Sequence, residues 1–205
     1  MTRIILVRHG QTTWNLEMKY QGHTDIELSP LGLTQAKQVA DRLAKENIAA
    51  VYASDLSRAF VTAQHIAAPH QLPVTQVPEL REIKFGEWEG LTHEQIQAKW
   101  PELINRFFIH TDEIEIPGGE SFRILKERAS QAIDHLVAKH PGETIAVVSH
   151  GGTIRTILCA ALNMHLNYVW GFRLDNTAVN IIEYQGERAI VTLVNDIHHL
   201  DEVNP

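Results

Sequence analysis

Apolar and polar positions along the chain predict short strands that alternate with helices. Short apolar runs bounded by polar or glycine residues are typical of buried strands, and they span 4–7, 48–53, 74–77 and 144–148. Segments with apolar residues at helical spacing follow them, at 31–45, 59–68, 121–140 and 153–162. Because the two kinds of segment alternate, we predict an α/β fold with three layers. A mostly parallel central sheet would carry helices on both faces.

Three further segments complete the predicted architecture. The polar stretch 11–25 predicts a loop, and the alternating segments 179–184 and 189–194 predict a hairpin at one edge of the sheet. Residues from about 83 to 120 interrupt the regular pattern and are rich in aromatic side chains. We interpret them as a small cap inserted over the C-terminal strand edge of a single domain, 1–205. Most of these aromatics should pack beneath the loop, but three are pocket candidates: Trp88, Phe107 and Phe108.

Length, composition and charge restrict the class of protein. A chain of 205 residues with 44% apolar content can bury a sizeable core as one domain. Its formal net charge of −7 argues against a nucleic-acid or membrane binder, so any anion site must be a local cluster of cations. The single Cys159 excludes an internal disulfide. No targeting or membrane segment is visible, so we expect a cytoplasmic protein, monomeric or homodimeric.

Twelve histidines make a metal site worth considering. None of them has the spacing of a metal-binding motif, so we expect neither a metal nor another cofactor. Apart from two histidines that follow predicted strands, we assign the histidines to the surface, His140 among them.

Polar side chains follow the ends of several predicted strands. Arg8 and His9 come directly after the first strand, Arg58 follows the second, Glu82 follows the third, and His150 follows the fourth. Parallel strands would bring all five side chains to one edge of the sheet, where open α/β folds bind ligands. Forked guanidinium donors match phosphate oxygens, so the set suggests a site for a phosphoryl group.

The same residues could carry out covalent phosphoryl transfer. A neutral His9 would attack phosphorus, and nearby arginines would help to keep it neutral. Glu82 would protonate the leaving oxygen and later activate water. Backbone N–H groups of Gly151 and Gly152, at a helix start, would also favour an anion. Taken singly, His150 could be a satisfied core histidine, and Glu82 could be a surface carboxylate paired with its neighbour in sequence.

A set of motifs spread over nearly the whole chain resembles the histidine phosphatase superfamily, also called the phosphoglycerate mutase-like family. The motifs are Leu6-Val7-Arg8-His9-Gly10-Gln11-Thr12-Thr13-Trp14-Asn15, Gln21-Gly22, Ser29-Pro30-Leu31-Gly32, Ser54-Asp55-Leu56-Ser57-Arg58-Ala59, Leu80-Arg81-Glu82-Ile83, Gly86-Glu87-Trp88-Glu89-Gly90, Gly119-Glu120-Ser121 and Ser149-His150-Gly151-Gly152.

The resemblance implies a role for each residue that matches a motif. His9 would be the phosphorylated nucleophile and Glu82 the proton donor. The phosphoryl group or its ester oxygen would be bound by the remaining residues: Arg8, Asn15, Gln21, Gly22, Arg58, His150 and Gly151.

The resemblance also implies the kind of reaction. The chain is shorter than typical cofactor-dependent mutases and looks like compact bacterial members, the broad-specificity phosphomonoesterases and α-ribazole-5′-phosphate phosphatases. We therefore expect a phosphatase whose partner is a small-molecule phosphate ester. Two alternatives stay open: a phosphoglycerate mutase, and a module that binds phosphorylated ligands without turnover.

Overall fold

The structure is a computed structural model that describes residues 1–186 and 188–203. Its six strands form one sheet in the order β3-β2-β4-β1-β5-β6. The first four in that order are parallel, and the hairpin of β5 and β6 continues the sheet in antiparallel pairing next to β1. The strands are β1 (Thr2–Arg8), β2 (Ile48–Ala53), β3 (Val74–Gln76), β4 (Thr144–Ser149), β5 (Val179–Gln185) and β6 (Arg188–Asp196).

Seven α-helices accompany the sheet within the described residues. They are α1 (Thr13–Leu16), α2 (Pro30–Leu43), α3 (Ser57–Ala67), α4 (His93–Lys99), α5 (Pro101–Phe107), α6 (Phe122–Lys139) and α7 (Gly151–Ala161). Helix α2 begins as its sequence predicts, because the Ser29 hydroxyl accepts the Gly32 N–H at 3.0 Å and Pro30 takes the first helical position. Helix α1 lies in a segment predicted as loop, where Thr12 and Asn15 form a capping box.

The sheet separates two hydrophobic cores, which confirms the three-layer α/β/α prediction. Successive side chains of a strand point to opposite faces. Ile5 and Val7 therefore join the core that includes residues of α2 and α3, whereas Ile4 and Leu6 join the core that includes residues of α6 and α7. Cys159 is buried in the second core. Among the described residues, no helix has the length and apolar character needed to cross a membrane.

The aromatic segment 83–120 packs into the core that contains α6 and α7. Trp88 and Phe107 are fully buried there, with ring centroids 5.1 Å apart, so the structure does not support them as pocket candidates. Phe108, by contrast, is 39% exposed. A continuous aromatic cluster therefore anchors this segment, and only its margin remains open to a ligand.

The assignment of His140 to the surface is wrong. His140 follows α6 and is only 8% exposed. Its Nε2 lies 2.8 Å from the Tyr52 hydroxyl, and its Nδ1 lies 2.7 Å from a carboxylate oxygen of Glu143. Sequence periodicity did not reveal these partners because the contact with Tyr52 spans 88 residues.

Candidate active site

The parallel pairing of β1 and β4 brings the two site histidines together. Arg8 is the register partner of Ser149, so His9 and His150 follow neighbouring strand ends. The His9 N–H donates to the Ser149 carbonyl at 3.0 Å, and the two imidazole centroids lie 5.1 Å apart. The predicted convergence at the carboxyl edge of the sheet is present in the structure.

His9 is held in one orientation and in its neutral form. Its Nδ1 lies 2.7 Å from the Gly10 carbonyl oxygen, which can only accept, so Nδ1 carries the hydrogen. Nε2 is left with a free lone pair. Burial, followed by the charges of Arg58 and Arg8, lowers the pKa of His9 well below its ordinary value of about 6.5. A neutral imidazole with a free nitrogen is the form that can act as a nucleophile.

His150 is fully buried, yet neither ring nitrogen has a hydrogen-bond partner among the described residues. Burial lowers its pKa well below the usual range, and the charge of Arg58 adds to this effect. Buried polar atoms in proteins are normally paired, so an unpaired imidazole beside His9 points to a group that the site is built to receive.

Two arginines present further unpaired donors to the same place. Arg58, in the first turn of α3, donates through its Nη atoms to the carbonyls of Thr24 and Gly22 at 2.9 and 2.8 Å. Arg8 donates to the Leu174 carbonyl at 2.6 Å. The Nε atom of each arginine is buried and has no hydrogen-bond partner in the described part of the chain. Burial lowers the pKa of each guanidinium to about 10, so both remain cations at neutral pH and suit an oxyanion.

The Glu82 carboxylate occupies the N-terminal end of α7. It accepts the N–H groups of Gly152 and Thr153 at 3.0 and 3.1 Å, and that of Ile83 at 3.0 Å. The N–H of Gly152 therefore binds the Glu82 carboxylate. The position of Gly152 at the start of a helix had suggested a phosphoryl oxygen instead. The alternative of a Glu82–Arg81 pair fails because Arg81 instead pairs with Asp55 through its Nε at 2.7 Å.

Arg128 holds the backbone that carries Glu82. Its guanidinium donates to the carbonyls of Arg81 and Glu82, both at 2.8 Å, and forms an ion pair with Glu120 at 2.8 Å. His23 Nε2 also lies 2.8 Å from the Glu82 carbonyl oxygen. Sequence reasoning missed both residues, because a basic residue within a long helix and a histidine in a loop carry no distinctive signal.

The loop after β1 supplies the remaining predicted residues. Asn15 Oδ1 accepts the Thr12 N–H at 3.0 Å, and Gln21 is buried with its Oε1 unpaired within residues 1–186 and 188–203. Gly22 adopts φ +55°, and a Cβ there would lie 2.1 Å from Glu89, so only glycine is accommodated. Asn176 was missed: its amide donates to the His9 carbonyl at 3.1 Å from a loop distant in sequence.

These side chains surround a cavity of about 240 Å³. Of the nine residues to which the resemblance gives a role, eight line it: Arg8, His9, Asn15, Gln21, Gly22, Arg58, Glu82 and Gly151. The remaining one, His150, adjoins it through its contact with His9. Sequence reasoning did not place several other lining residues there: Met18, Lys19, Tyr20, Phe85, Arg155 and Trp170. Within the described part of the chain, no cluster of three His, Cys, Asp or Glu residues could hold a metal ion.

The chain is similar in sequence to several known proteins. The chain is 40% identical over 203 residues to phosphoglycerate mutase-like protein 4 of Arabidopsis thaliana, covering 97% of this chain and 87% of that protein. It is 39% identical over 206 residues to the metal-independent phosphoserine phosphatase of the same organism, covering 99% and 85%. It is 29% identical over 193 residues to the adenosylcobalamin/alpha-ribazole phosphatase of Escherichia coli (strain K12), covering 94% and 95%.

A solved structure and a family model extend the comparison to the fold. YhfR of Bacillus stearothermophilus superimposes with a TM-score of 0.93 at 33% identity, covering 98% of this chain and all of that one. The family model described as "Histidine phosphatase superfamily (branch 1)" matches residues 4–197. The chain therefore belongs to the histidine phosphatase superfamily, a family of phosphatase enzymes.

Proposed function

We propose that this chain hydrolyses phosphate monoesters of small metabolites through a phosphohistidine on His9, without a metal ion. The observation that carries the proposal is the state of His9: Nδ1 is bonded to the Gly10 carbonyl, and Nε2 is left free in the cavity. An imidazole fixed in this tautomer, and kept neutral by burial and two guanidinium groups, is prepared to attack phosphorus.

In the first step His9 Nε2 attacks phosphorus as the ester P–O bond breaks. The protonated carboxyl of Glu82 gives its proton to the departing oxygen, and the product alcohol leaves. Arg8, Arg58 and His150 hold the phosphoryl oxygens, where their unpaired donors stabilise the negative charge of the transition state.

In the second step water attacks phosphorus and the P–N bond breaks. The Glu82 carboxylate takes the proton from that water, so the acid of the first step becomes the base of the second. Inorganic phosphate leaves, and His9 returns to its neutral form. Backbone N–H groups hold Glu82 in place throughout both steps.

Release of p-nitrophenol from p-nitrophenyl phosphate in EDTA tests the proposal directly. We expect turnover with chelator present and, after rapid denaturation, phosphate bound to protein through an acid-labile, base-stable bond. Loss of activity in EDTA would contradict the metal-independent mechanism. Phosphate binding without release would instead support a binding module, and conversion of 3- to 2-phosphoglycerate would support a mutase.

A further inference from the structure

A short turn after β1, residues 22–24, holds the guanidinium of Arg58. The two Nη atoms of Arg58 donate to the carbonyls of Thr24 and Gly22 at 2.9 and 2.8 Å, so the position of these carbonyls determines the position of the group. The turn lies outside the helices and strands. Its backbone N–H groups therefore need partners from elsewhere if the turn is to stay in place.

The carboxylate of Glu89 supplies those partners. Its Oε1 accepts the His23 N–H at 3.0 Å, and its Oε2 accepts the Thr24 N–H at 3.0 Å together with the Thr24 hydroxyl. Oε1 also accepts the Phe85 N–H at 3.1 Å, which ties the carboxylate to its own segment of the chain. Hydrogen bonds to an ionised acceptor are about twice as strong as those between neutral groups, so this one side chain can fix the turn.

A single peptide group connects Glu89 to Arg58. The His23 N–H and the Gly22 carbonyl belong to the same planar unit. Glu89 accepts a hydrogen bond from one side of that unit, and Arg58 donates to the other. Hydrogen bonds arranged in a chain polarise one another, so the carboxylate makes the Gly22 carbonyl a stronger acceptor for the guanidinium. The peptide group thus links the anion to the cation.

Charge and space at the turn fit this arrangement. Burial lowers the pKa of Arg58, and the carboxylates of Glu82, Asp25 and Glu89 oppose that effect. Asp25 hydrogen-bonds to the start of α3, whereas Glu89 contacts the peptides that hold the guanidinium. A Cβ on Gly22 would lie 2.1 Å from Glu89 Oε1, so the glycine is what allows the carboxylate to approach the peptide so closely.

We propose that Glu89 is a positioning residue for phosphoryl binding: through the peptides of residues 22–24 it holds the guanidinium of Arg58 in place for the phosphoryl group. This inference rests on the proposed phosphatase function and adds a residue that does not touch the substrate. Arg58 lines the cavity, and Glu89 is not among the lining residues. Without Glu89, Arg58 would keep its charge but lose its fixed orientation.

The affinity for inorganic phosphate tests this role without turnover. Calorimetric titration of Glu89→Gln should give a dissociation constant about tenfold higher than that of the unaltered protein, because the glutamine amide accepts through one oxygen only. kcat/KM for p-nitrophenyl phosphate should fall by about 10- to 100-fold. Glu87→Gln makes the same chemical change at an exposed position two residues earlier, and it should alter neither value.

A double variant tests whether the effect passes through Arg58. Arg58→Met removes the guanidinium and keeps an apolar stem. In that background Glu89→Gln should lower kcat/KM by less than about twofold, because the group that Glu89 positions is already gone. Arg58→Lys provides a second background if Arg58→Met does not fold, since an ammonium group lacks the fork that spans both carbonyls.

The dependence of the rate on the leaving group separates this role from an effect on Glu82. Glu89 contacts the Phe85 N–H, and Phe85 follows Glu82 by three positions. An effect on the proton donor would slow alkyl phosphates more than p-nitrophenyl phosphate, whereas we expect Glu89→Gln to leave the ratio of the two rates unchanged.

Folding of each variant is verified by thermal melting. A loss of folded protein alone would lower both rates and leave the phosphate affinity of the remaining folded protein intact. If Glu89→Gln does not fold, Thr24→Val removes only the hydroxyl that donates to Glu89, and it should raise the dissociation constant of phosphate by about two- to fivefold.

Three outcomes would overturn the inference. Phosphate affinity could be unchanged in Glu89→Gln, the loss in kcat/KM could be the same with and without the Arg58 guanidinium, or the ratio between leaving groups could change. Each of these results leaves the phosphatase function standing. Absence of phosphate release from any ester by the unaltered protein would instead refute the proposed function, and phosphate titration would still test the role of Glu89.

Discussion

The histidines at the two ends of β4 are both buried, but they are treated in opposite ways. His140 precedes the strand, and each of its ring nitrogens has a partner, the Tyr52 hydroxyl and the Glu143 carboxylate. His150 follows the strand and has no partner for either nitrogen among the described residues. The two lie ten positions apart in sequence and are 8% and 0% exposed, so burial alone does not distinguish them.

The difference between His140 and His150 shows that unpaired buried polar groups, which lower stability, lie at the candidate site and not at the other end of β4. An unsatisfied buried polar group costs roughly 1–3 kcal/mol, so a structural histidine is expected to find partners as His140 does. At the other end of the strand, the ring nitrogens of His150 and the Nε atoms of Arg8 and Arg58 have no hydrogen-bond partner among the residues that the structure describes. A phosphoryl group bound in the cavity would provide hydrogen-bond partners for these unpaired atoms.

The largest effect should come from removing the proposed nucleophile. We expect His9→Ala to reduce kcat/KM for p-nitrophenyl phosphate by about 10⁴-fold or more, because no phosphohistidine can form. Phosphate trapped on the protein after denaturation should disappear as well. Retention of either signal in His9→Ala would show that the covalent step occurs elsewhere or not at all. His140→Ala serves as the control, because it removes a buried histidine far from the reaction.

The next effect depends on the leaving group. Glu82→Gln keeps the shape of the side chain but cannot supply a proton, so we expect alkyl phosphates to slow by about 10²-fold or more. p-Nitrophenyl phosphate, whose leaving group needs little protonation, should slow by less than about tenfold. The ratio of the two rates is the measurement. An equal loss of rate on both esters would show that Glu82 is not the proton donor.

Glu87→Gln provides a matched control for that experiment. Glu87 lies five positions after Glu82 and is exposed. The same chemical change there should leave both rates and their ratio unaltered. A comparable change in the ratio in Glu87→Gln would mean that the loss of a negative charge, rather than the lost proton, explains the result.

Much of this site could be predicted because its residues follow strands. A buried strand is recognisable locally, and parallel topology then fixes which ends meet, so the amino-acid sequence alone was enough to group Arg8, His9, Arg58 and His150. Helical spacing could also have found Arg155, since it lies one turn after Gly151 on the same helix. That signal was missed because a lone arginine on a helix is usually solvated.

The rest depends on contacts between distant segments, which no local pattern records. Trp170 reaches the site from the short helix Leu166–Gly171, which packs on the aromatic cluster through Phe107, and Asn176 reaches the His9 carbonyl from the segment before β5. Trp88 and Phe107 were pocket candidates because their segment is rich in aromatic residues, but both are buried within the aromatic cluster. His140 was assigned to the surface because its spacing is not that of a metal-binding motif, and its partner Tyr52, on β2, lies 88 residues away in sequence.

The same substitution at the two ends of β4 would sharpen the comparison. His140→Leu leaves the Tyr52 hydroxyl unpaired, so we expect a loss of about 1–3 kcal/mol in unfolding free energy, with kcat/KM within about twofold of the original. His150→Leu removes no side-chain hydrogen bond to a described residue, so stability should change by less than about 1 kcal/mol while activity is largely lost. Urea unfolding and phosphatase assays on both variants measure the contrast.

A second substitution identifies the cause of the loss at His140. Tyr52→Phe removes the hydroxyl that His140→Leu would leave unpaired. The double variant should therefore lose less unfolding free energy than the sum of the losses in the two single variants. Additive losses would mean that packing, not the hydrogen bond, accounts for the effect. Equal losses of activity in His140→Leu and His150→Leu would contradict the assignment of a structural role to His140 and a site role to His150.

The smallest effect should appear in the pH dependence of stability. Burial and neighbouring cations hold the pKa of His9 and of His150 well below 6.5, so both stay neutral in the folded protein while the unfolded chain takes up protons below about pH 6.5. Folding stability should therefore fall on acidification, by up to about 1.4 kcal/mol per pH unit for each imidazole. His9→Ala should remove one of these contributions, so the unfolding free energy should change less steeply with pH below about pH 6.5. His140→Ala, a variant away from the site, serves as the control. An unchanged slope in His9→Ala, measured by urea unfolding, would show that His9 is not held neutral by the fold.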